Sequence, residues 1–268
     1  MHLLKTEKGV LSGERKGKKI IVSLTTYPKR FHVVHLSIET LLNQTLKPDK
    51  IILWLSKEEV HHNEIPRHIQ KLTNRGLEIK LVPGNLKSYK KLLYSLQEYP
   101  NDLIVTVDDD VLYPDFLIEG LYRKYLENQE CVTAYRCSFM KTNDEGKLSP
   151  YLSWKPAREC FKPSYRLFPT GVGGILYPPK SLYQEVFNES LFTKLAPTAD
   201  DVWFKAMALL NNTKTVQVYE NCIEYPLIDG SQEEALWKIN NGENQNDRQL
   251  KEVFDFFDLY RYIEKDEI

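Results

Sequence analysis

Three consecutive carboxylates, Asp108, Asp109 and Asp110, follow the apolar run Val105-Thr106-Val107. Like charges packed at a strand end repel one another, and a bound cation relieves that cost. Hard divalent ions such as Mg²⁺ or Mn²⁺ take oxygen ligands and keep positions free for substrate phosphates. A solvated acidic turn is the plain alternative, and an isolated D-x-D does not separate the two. A second acidic pair, Asp200-Asp201, stands in Thr198-Ala199-Asp200-Asp201-Val202-Trp203. Thr198 or Asp200 would cap a helix there, where the backbone dipole favours negative charge. Alternatively, one carboxylate serves as base or charge stabiliser, with Trp203 as pocket wall. The third stretch is Phe168-Pro169-Thr170-Gly171-Val172-Gly173-Gly174-Ile175. Its glycines let backbone approach a ligand or take positive φ; a tight turn between strands explains them equally well.

Other chemistries lack their signatures. G-x-G-x-x-G, the phosphate-binding P-loop and G-x-S-x-G are absent, as is H-E-x-x-H. All six histidines lie at or before position 68, far in sequence from both acidic motifs, which argues against a zinc hydrolase.

The elements that must position these residues follow from hydrophobic patterning. Residues 19–24 read as a buried strand, and Val34, Ile38, Leu41 and Leu42 form one face of a helix after it. Residues 51–55 give a second strand, with a helical piece near 66–72. Residues 77–82 give a third, whose alternation of Leu77, Ile79 and Leu81 with Glu78 and Lys80 places it near a sheet edge. A helix over 89–96 and a strand over 103–107 complete the series. Strands alternating with helices predict a mostly parallel sheet of the α/β class, with Asp108–Asp110 at the carboxyl edge where such sheets bind ligands. A helix is expected to open at Pro114, with Ile118, Leu121, Tyr122 and Tyr125 on its face. Residues 132–168 read as irregular strands and loops, followed by helices opening at Ala199-Asp200-Asp201 and carrying Leu250, Val253, Phe254 and Phe257.

The chain has 268 residues and a formal charge of -1, with 42% apolar and 27% charged residues, which fits a globular chain of one or two domains. Near-neutral charge argues against nucleic-acid binding. The four cysteines (Cys131, Cys137, Cys160, Cys222) form no C-x-x-C and are expected as reduced, buried thiols. No apolar signal-peptide core or membrane span is present, so a cytoplasmic location is expected. The basic opening stretch with Lys5, Lys8, Arg15, Lys16, Lys18 and Lys19 reads as a solvated tail. Peripheral contact at the inner face of a membrane is the alternative.

Taken together, the order of these parts over residues 19–225 resembles the GT-A class of nucleotide-sugar glycosyltransferases. The flavour is of bacterial surface-polysaccharide enzymes, with some likeness to exostosin-like transferases in Asp108-Asp109-Asp110 and Asp200-Asp201. The resemblance implies a GT-A, Rossmann-like fold with a C-terminal acceptor-side region. It divides the chain into a basic tail (1–18), a transferase domain (19–225, its halves meeting near 112) and a helical extension (226–268). It implies Mn²⁺ or Mg²⁺ on Asp110 and Asp108, the latter also toward the ribose, with Asp109 supporting. Thr25, Tyr27, Arg30 and Lys90 would line the nucleotide, and Gly173 and Gly174 the donor sugar or acceptor. Asp201, with Asp200, would be catalytic. The implied partners are a nucleotide-sugar donor, UDP-linked by family frequency, and a glycan or lipid-linked saccharide acceptor; a retaining hexosyltransferase is slightly favoured over an inverting one. The family's metal-binding C-terminal histidine is missing, and Asn246, Asp247 or Arg248 would have to close over the diphosphate instead. Two other readings stand beside it. One is a haloacid-dehalogenase-like phosphatase using Asp108 as nucleophile, although three strand–helix units precede Asp108. The other is a non-catalytic carbohydrate-binding protein.

Overall fold

The computed structural model describes residues 7–61, 64–157, 162–219, 225–231 and 245–266. The chain forms two units, Met1–Gly120 with Tyr225–Ser231, and Leu121–Glu224 with Gln232–Ile268. The expected boundaries, near 112 and at 225, thus differ in two ways: a short segment after 224 returns to the first unit, and the C-terminal helices belong to the second.

In the first unit β1 (Ile20–Thr25), β2 (Lys50–Ser56), β3 (Leu77–Val82) and β4 (Leu103–Thr106) run parallel in the order β4-β1-β2-β3. Val22 sits between Ile51 and Val105, so the apolar runs of three strands fall in register and are buried. β3 ends the order, as its alternating pattern predicts, and its central residues are only half-buried. The helices are α1 (Phe31–Leu42), α2 (Arg67–Gln70) and α3 (Lys90–Glu98). α3 packs Leu92 and Leu93 inward. Beneath it the Trp54 indole donates to Ser23 Oγ (2.9 Å) and Ser95 Oγ (3.0 Å), so buried polar groups on β1, β2 and α3 satisfy one another.

The basic opening stretch departs from the solvated tail expected of it. Gly9 N–H bonds Arg75 O, Leu11 N–H bonds Pro48 O, and Arg15 Nε lies 2.7 Å from Asp49 Oδ2. An added Cβ on Gly9 would lie 2.6 Å from Leu42 Cα, so backbone is pressed directly on α1. Apolar Val10 packs on Gly76, and these contacts dock the stretch despite its lysines.

The helix α4 (Leu117–Glu127) carries the chain from the first unit to the second. It starts three residues later than expected, and Leu117 N–H bonds Pro114 O in the turn before it. In the second unit β10 (Thr215–Gln217), β5 (Val132–Ala134) and β9 (Ile175–Tyr177) lie in that order. β10 runs parallel and β9 antiparallel to β5. A separate antiparallel ribbon has β6 (Cys137–Phe139) between β7 (Lys155–Pro156) and β8 (Leu167–Pro169). The described residues of 132–168 thus include short strands that change sheets at the corner between β5 and β6. The helices α5 (Glu189–Leu195), α6 (Asp200–Leu210), α7 (Gln245–Phe257) and α8 (Tyr260–Glu264) complete the unit. α6 packs on α7, and it is buried nearly all round from Val202 to Leu209. The fold is α/β with a mostly parallel sheet. Cys131 and Cys137 are both buried; Cys160 and Cys222 lie outside the described residues. Among the described residues no helix is long and apolar enough to cross a membrane.

Candidate functional site

The acidic turn of the first unit leaves the sheet where β4 ends. Because β1 to β4 are parallel, that end lies beside the segment following β1, and this neighbour supplies the turn's partners. Thr26 Oγ1 donates to Asp109 Oδ2 at 2.5 Å. Arg30 forms an ion pair with Asp109 and lies 3.2 Å from Asp110 Oδ2 through the same nitrogen. Burial opposes the Arg30 charge, but Asp109 and Asp110 more than offset it and hold its pKa above the ordinary guanidinium value. On the other side, Lys91 Nζ of α3 lies 2.8 Å from Asp108 Oδ1. Among the described residues Arg30 and Lys91 are thus close cations of the three carboxylates. Asp109 is enclosed, Asp110 nearly so, and Asp108 keeps 28% of its side chain exposed, which leaves it the most accessible to a ligand.

The backbone of the turn is fixed independently of these charges. Asp108 N–H donates to the Tyr113 hydroxyl (2.8 Å), and Ser37 Oγ donates to Asp108 O (3.0 Å) and Val111 O (2.8 Å). Burial, reinforced by the Asp108 charge, pushes the Tyr113 phenol well above its usual range, so it stays protonated. Residues 225–231 return to clasp the same turn. Ile228 N–H bonds Asp110 O, Leu112 N–H bonds Pro226 O, and Arg30 donates to Ser231 O at 3.2 Å.

The other first-unit candidates fall as follows. Thr25 uses its hydroxyl on Trp54 O (2.9 Å), a bond between β1 and β2. Tyr27 lies under the Arg30 guanidinium, 5.7 Å from ring centroid to carbon. Lys90 is buried, with Glu59 at 3.2 Å and Asn85 at 3.4 Å. Its neighbour Lys91 is the lysine that meets the acidic turn. Thr26, Ser37, Lys91, Tyr113 and the 225–231 segment escaped the sequence reading. Only Thr26 had a local signal, being inside the quoted Thr25-Thr26-Tyr27-Pro28.

In the second unit the late acidic pair and the glycine loop meet. Asp201 Oδ2 accepts the Gly171 N–H at 3.0 Å. α6 opens at Asp200 with Ala199 as its N-cap residue and no side-chain cap, so neither Thr198 nor Asp200 acts as the cap. Thr198 instead exchanges hydrogen bonds with the Gln249 amide of α7. Trp203 is fully buried, donates to Val186 O and packs edge-on against Phe192. It belongs to the core and is no pocket wall, because three residues past the helix start the chain is already enclosed. Gly173 is required by contact: an added Cβ would lie 2.6 Å from Arg136 Cβ and 2.9 Å from Arg136 N. Gly174 is required by conformation, with φ at 79°. Asp247 accepts the Tyr151 N–H at 2.6 Å, and Arg248 is an exposed helix residue paired with Glu252.

No protein-family profile matches the sequence, and no curated protein does. Among solved structures the chain is similar to the mannosyltransferase PcManGT from Pyrobaculum calidifontis, in complex with GDP-Man and Mn²⁺. The TM-score is 0.54 at 10% identity, over 93% of this chain and 71% of that one. At that identity the likeness is one of fold. It is also similar to UTP-bound UGPase from Acinetobacter baumannii, with TM-score 0.45 and 12% identity over 89% and 93% of the two chains. A CMP:2-keto-3-deoxy-manno-octonic acid synthetase complexed with CTP gives 0.47 and 12% over 85% and 99%.

Proposed function

We propose that the protein is a metal-dependent glycosyltransferase that moves a sugar from a nucleotide diphosphate donor to a saccharide acceptor. The observation that carries this reading is the acidic turn at the carboxyl edge of a parallel sheet, with Asp108 and Asp110 flanked by Arg30 and Lys91. Two carboxylates of that kind suit a hard divalent ion whose remaining ligands are phosphate oxygens and water. Among the described residues no group of three or more His, Cys, Asp or Glu is placed to hold a metal, so in this reading the donor's phosphates would have to complete the shell. The buried Arg30 Nε–H has no acceptor among the described residues, a donor that a phosphate oxygen would satisfy. The fold shared with a mannosyltransferase in complex with GDP-Man and Mn²⁺ supports the same reading.

In this reading Asp110 and Asp108 hold Mn²⁺ or Mg²⁺, which when bound neutralises charge on the departing diphosphate. Arg30 and Lys91 share that task as fixed cations, and Asp109 keeps Arg30 aimed at the turn. Thr25 ends β1 and Tyr27 follows it at the nucleotide side, and Lys90 supports the same edge through Asn85. Gly173 and Gly174 shape the acceptor-side loop. Asp201 takes the acceptor hydroxyl's proton or stabilises positive charge on the sugar ring, with Asp200 beside it. A UDP- or GDP-linked hexose, a glycan or lipid-linked acceptor, surface-polysaccharide synthesis and action in the cytoplasm at the membrane's inner face belong to this proposal.

Calorimetric titration of UDP and GDP, with Mn²⁺ and with chelator, into wild type and Asp110→Ala tests it. One nucleotide is expected to bind only with metal and to lose about 10-fold or more in affinity in the variant. Absence of binding of both nucleotides in every condition would sink the reading and make phosphatase turnover the next assay.

A further inference from the structure

Arg136 occupies the corner where the chain leaves β5 for β6, and it is half-buried. Its backbone carbonyl accepts the Thr170 N–H at 3.0 Å, and its guanidinium donates to Thr170 Oγ1 at 3.2 Å. The next residue of that loop, Gly171, bonds Asp201 at 3.0 Å. Arg136 and Asp201 are thus tied to consecutive residues of one loop, which Gly173 allows to press against the Arg136 backbone. Tyr151 completes the cluster. Its ring packs edge-on against Phe168 (5.9 Å between centroids) and Trp154 (5.1 Å), and its N–H donates to Asp247. Burial and the Asp201 charge push the Tyr151 phenol up to about 12, with Arg136 pulling the other way.

Among the described residues the guanidinium makes one side-chain hydrogen bond, to Thr170 Oγ1. The enclosed arginines of the first unit each have a carboxylate: Arg15 with Asp49, Arg30 with Asp109, Arg75 with Glu39. Arg136 makes no ion pair with any described carboxylate, although Asp201 and Asp247 are both near Tyr151. A planar, permanently charged fork, partly removed from water and anchored by one edge, matches a carboxylate or phosphate presented to its other edge.

We infer that Arg136 is a specificity residue for an anionic saccharide acceptor, pairing with a carboxylate or phosphate on the sugar whose hydroxyl meets Asp201. The inference rests on the glycosyltransferase reading for the word acceptor. The donor diphosphate is assigned to the acidic turn of the first unit, whereas Arg136 shares its loop with Asp201, the residue assigned to the acceptor hydroxyl.

The test is titration of D-glucuronate, glucose 1-phosphate and D-glucose into wild type, Arg136→Met and Arg136→Lys, with UDP and GDP plus Mn²⁺ titrated into the same proteins. Wild type is expected to bind one or both anionic sugars and to favour them over glucose by about 10-fold or more. R136M should abolish that preference while nucleotide affinity stays within about twofold of wild type. R136K, which keeps the charge and loses the fork, should retain part of the preference and remains informative if the methionine variant fails to fold. The relative strength of the glucuronate and glucose 1-phosphate arms identifies the anionic group. Equal binding of glucose and both anions by wild type, or an anion preference untouched by both variants, overturns the inference. Loss of nucleotide affinity in R136M overturns it too, because the anion would then be the donor diphosphate. Anion binding that behaves as expected in a protein that binds no nucleotide would defeat the transferase reading and leave Arg136 as an anion site.

Discussion

Each unit buries a cation, and the two are treated in opposite ways. Arg30, in the first, is paired with Asp109 and Asp110 and is held charged. Lys205, in the second, is fully enclosed in α6 with Thr215 Oγ1 at 3.2 Å as its hydrogen-bond partner, and burial pulls it down to about 7. Two neighbouring carboxylates are the difference. Where they are supplied, burial does not remove the charge; where they are not, the amine is already half deprotonated near pH 7. The first unit's stability should therefore depend on the integrity of its charge cluster.

The largest expected effect follows directly. Arg30→Met leaves Asp109 enclosed with only the Thr26 hydroxyl, and breaking a buried pair from one side costs about 3–5 kcal/mol. Urea denaturation of wild type, Arg30→Met and Arg30→Met/Asp109→Asn measures it. The double variant should regain more than half of the loss, since an uncharged amide costs less to bury than an unpaired carboxylate. A single variant within about 1 kcal/mol of wild type would remove the distinction between the two cations.

How much of this was readable in the sequence depends on the range of each contact. The strands and the acidic turn were legible because their signals are local: an apolar run of four to six residues, then three carboxylates. The edge position of β3 was legible for the same reason, through Glu78 and Lys80 alternating with apolar neighbours. Lys91 was not, because adjacent lysines on one helix differ only in which way each points. That direction is set by α3 packing Leu92 and Leu93 beneath it. The return of residues 225–231 to Asp110 and the docking of Arg15 on Asp49 are long-range pairings without periodicity. Arg136 was not legible because its tie to Asp201 runs through Thr170, 34 residues from Arg136, and Gly171, 30 residues from Asp201.

Lys205 sharpens the comparison through pH. Its folded pKa of about 7 lies below the usual value near 10.4, so between those limits the unfolded chain binds more protons. Stability from this group therefore rises with pH across that window, and the burden is fully present below pH 7. Lys205→Met removes it. The stability difference, variant minus wild type, should shrink by about 2 kcal/mol between pH 7.5 and 9.5, below the limit of about 1.4 kcal/mol per pH unit. Cys131, Cys137 and Asp266 are the charges that act on Lys205, so the measurement is made as a difference in reducing buffer. A constant difference across that range would mean that Lys205 is charged in the fold and the two cations are alike.

The smallest effect tests whether an enclosed ion pair matters wherever it occurs. Arg15 Nε lies 2.7 Å from Asp49 Oδ2, and the same arginine donates to Lys47 O. The pair is nearly as enclosed as that of Arg30, with 12% and 8% of the two side chains exposed. Its carboxylate has a second anchor, however, because Asp49 Oδ2 also accepts the Ile20 N–H at 2.8 Å. Arg15→Met should therefore cost about 1.5 kcal/mol in urea denaturation, the low end for a hydrogen bond to a charged group. A loss equal to that of Arg30→Met would show that enclosure alone sets the cost. The cluster of three carboxylates would then have no special claim on its cation. A small loss at Arg15 beside a large one at Arg30 ties the stability of the first unit to the same charges that its ligand would meet.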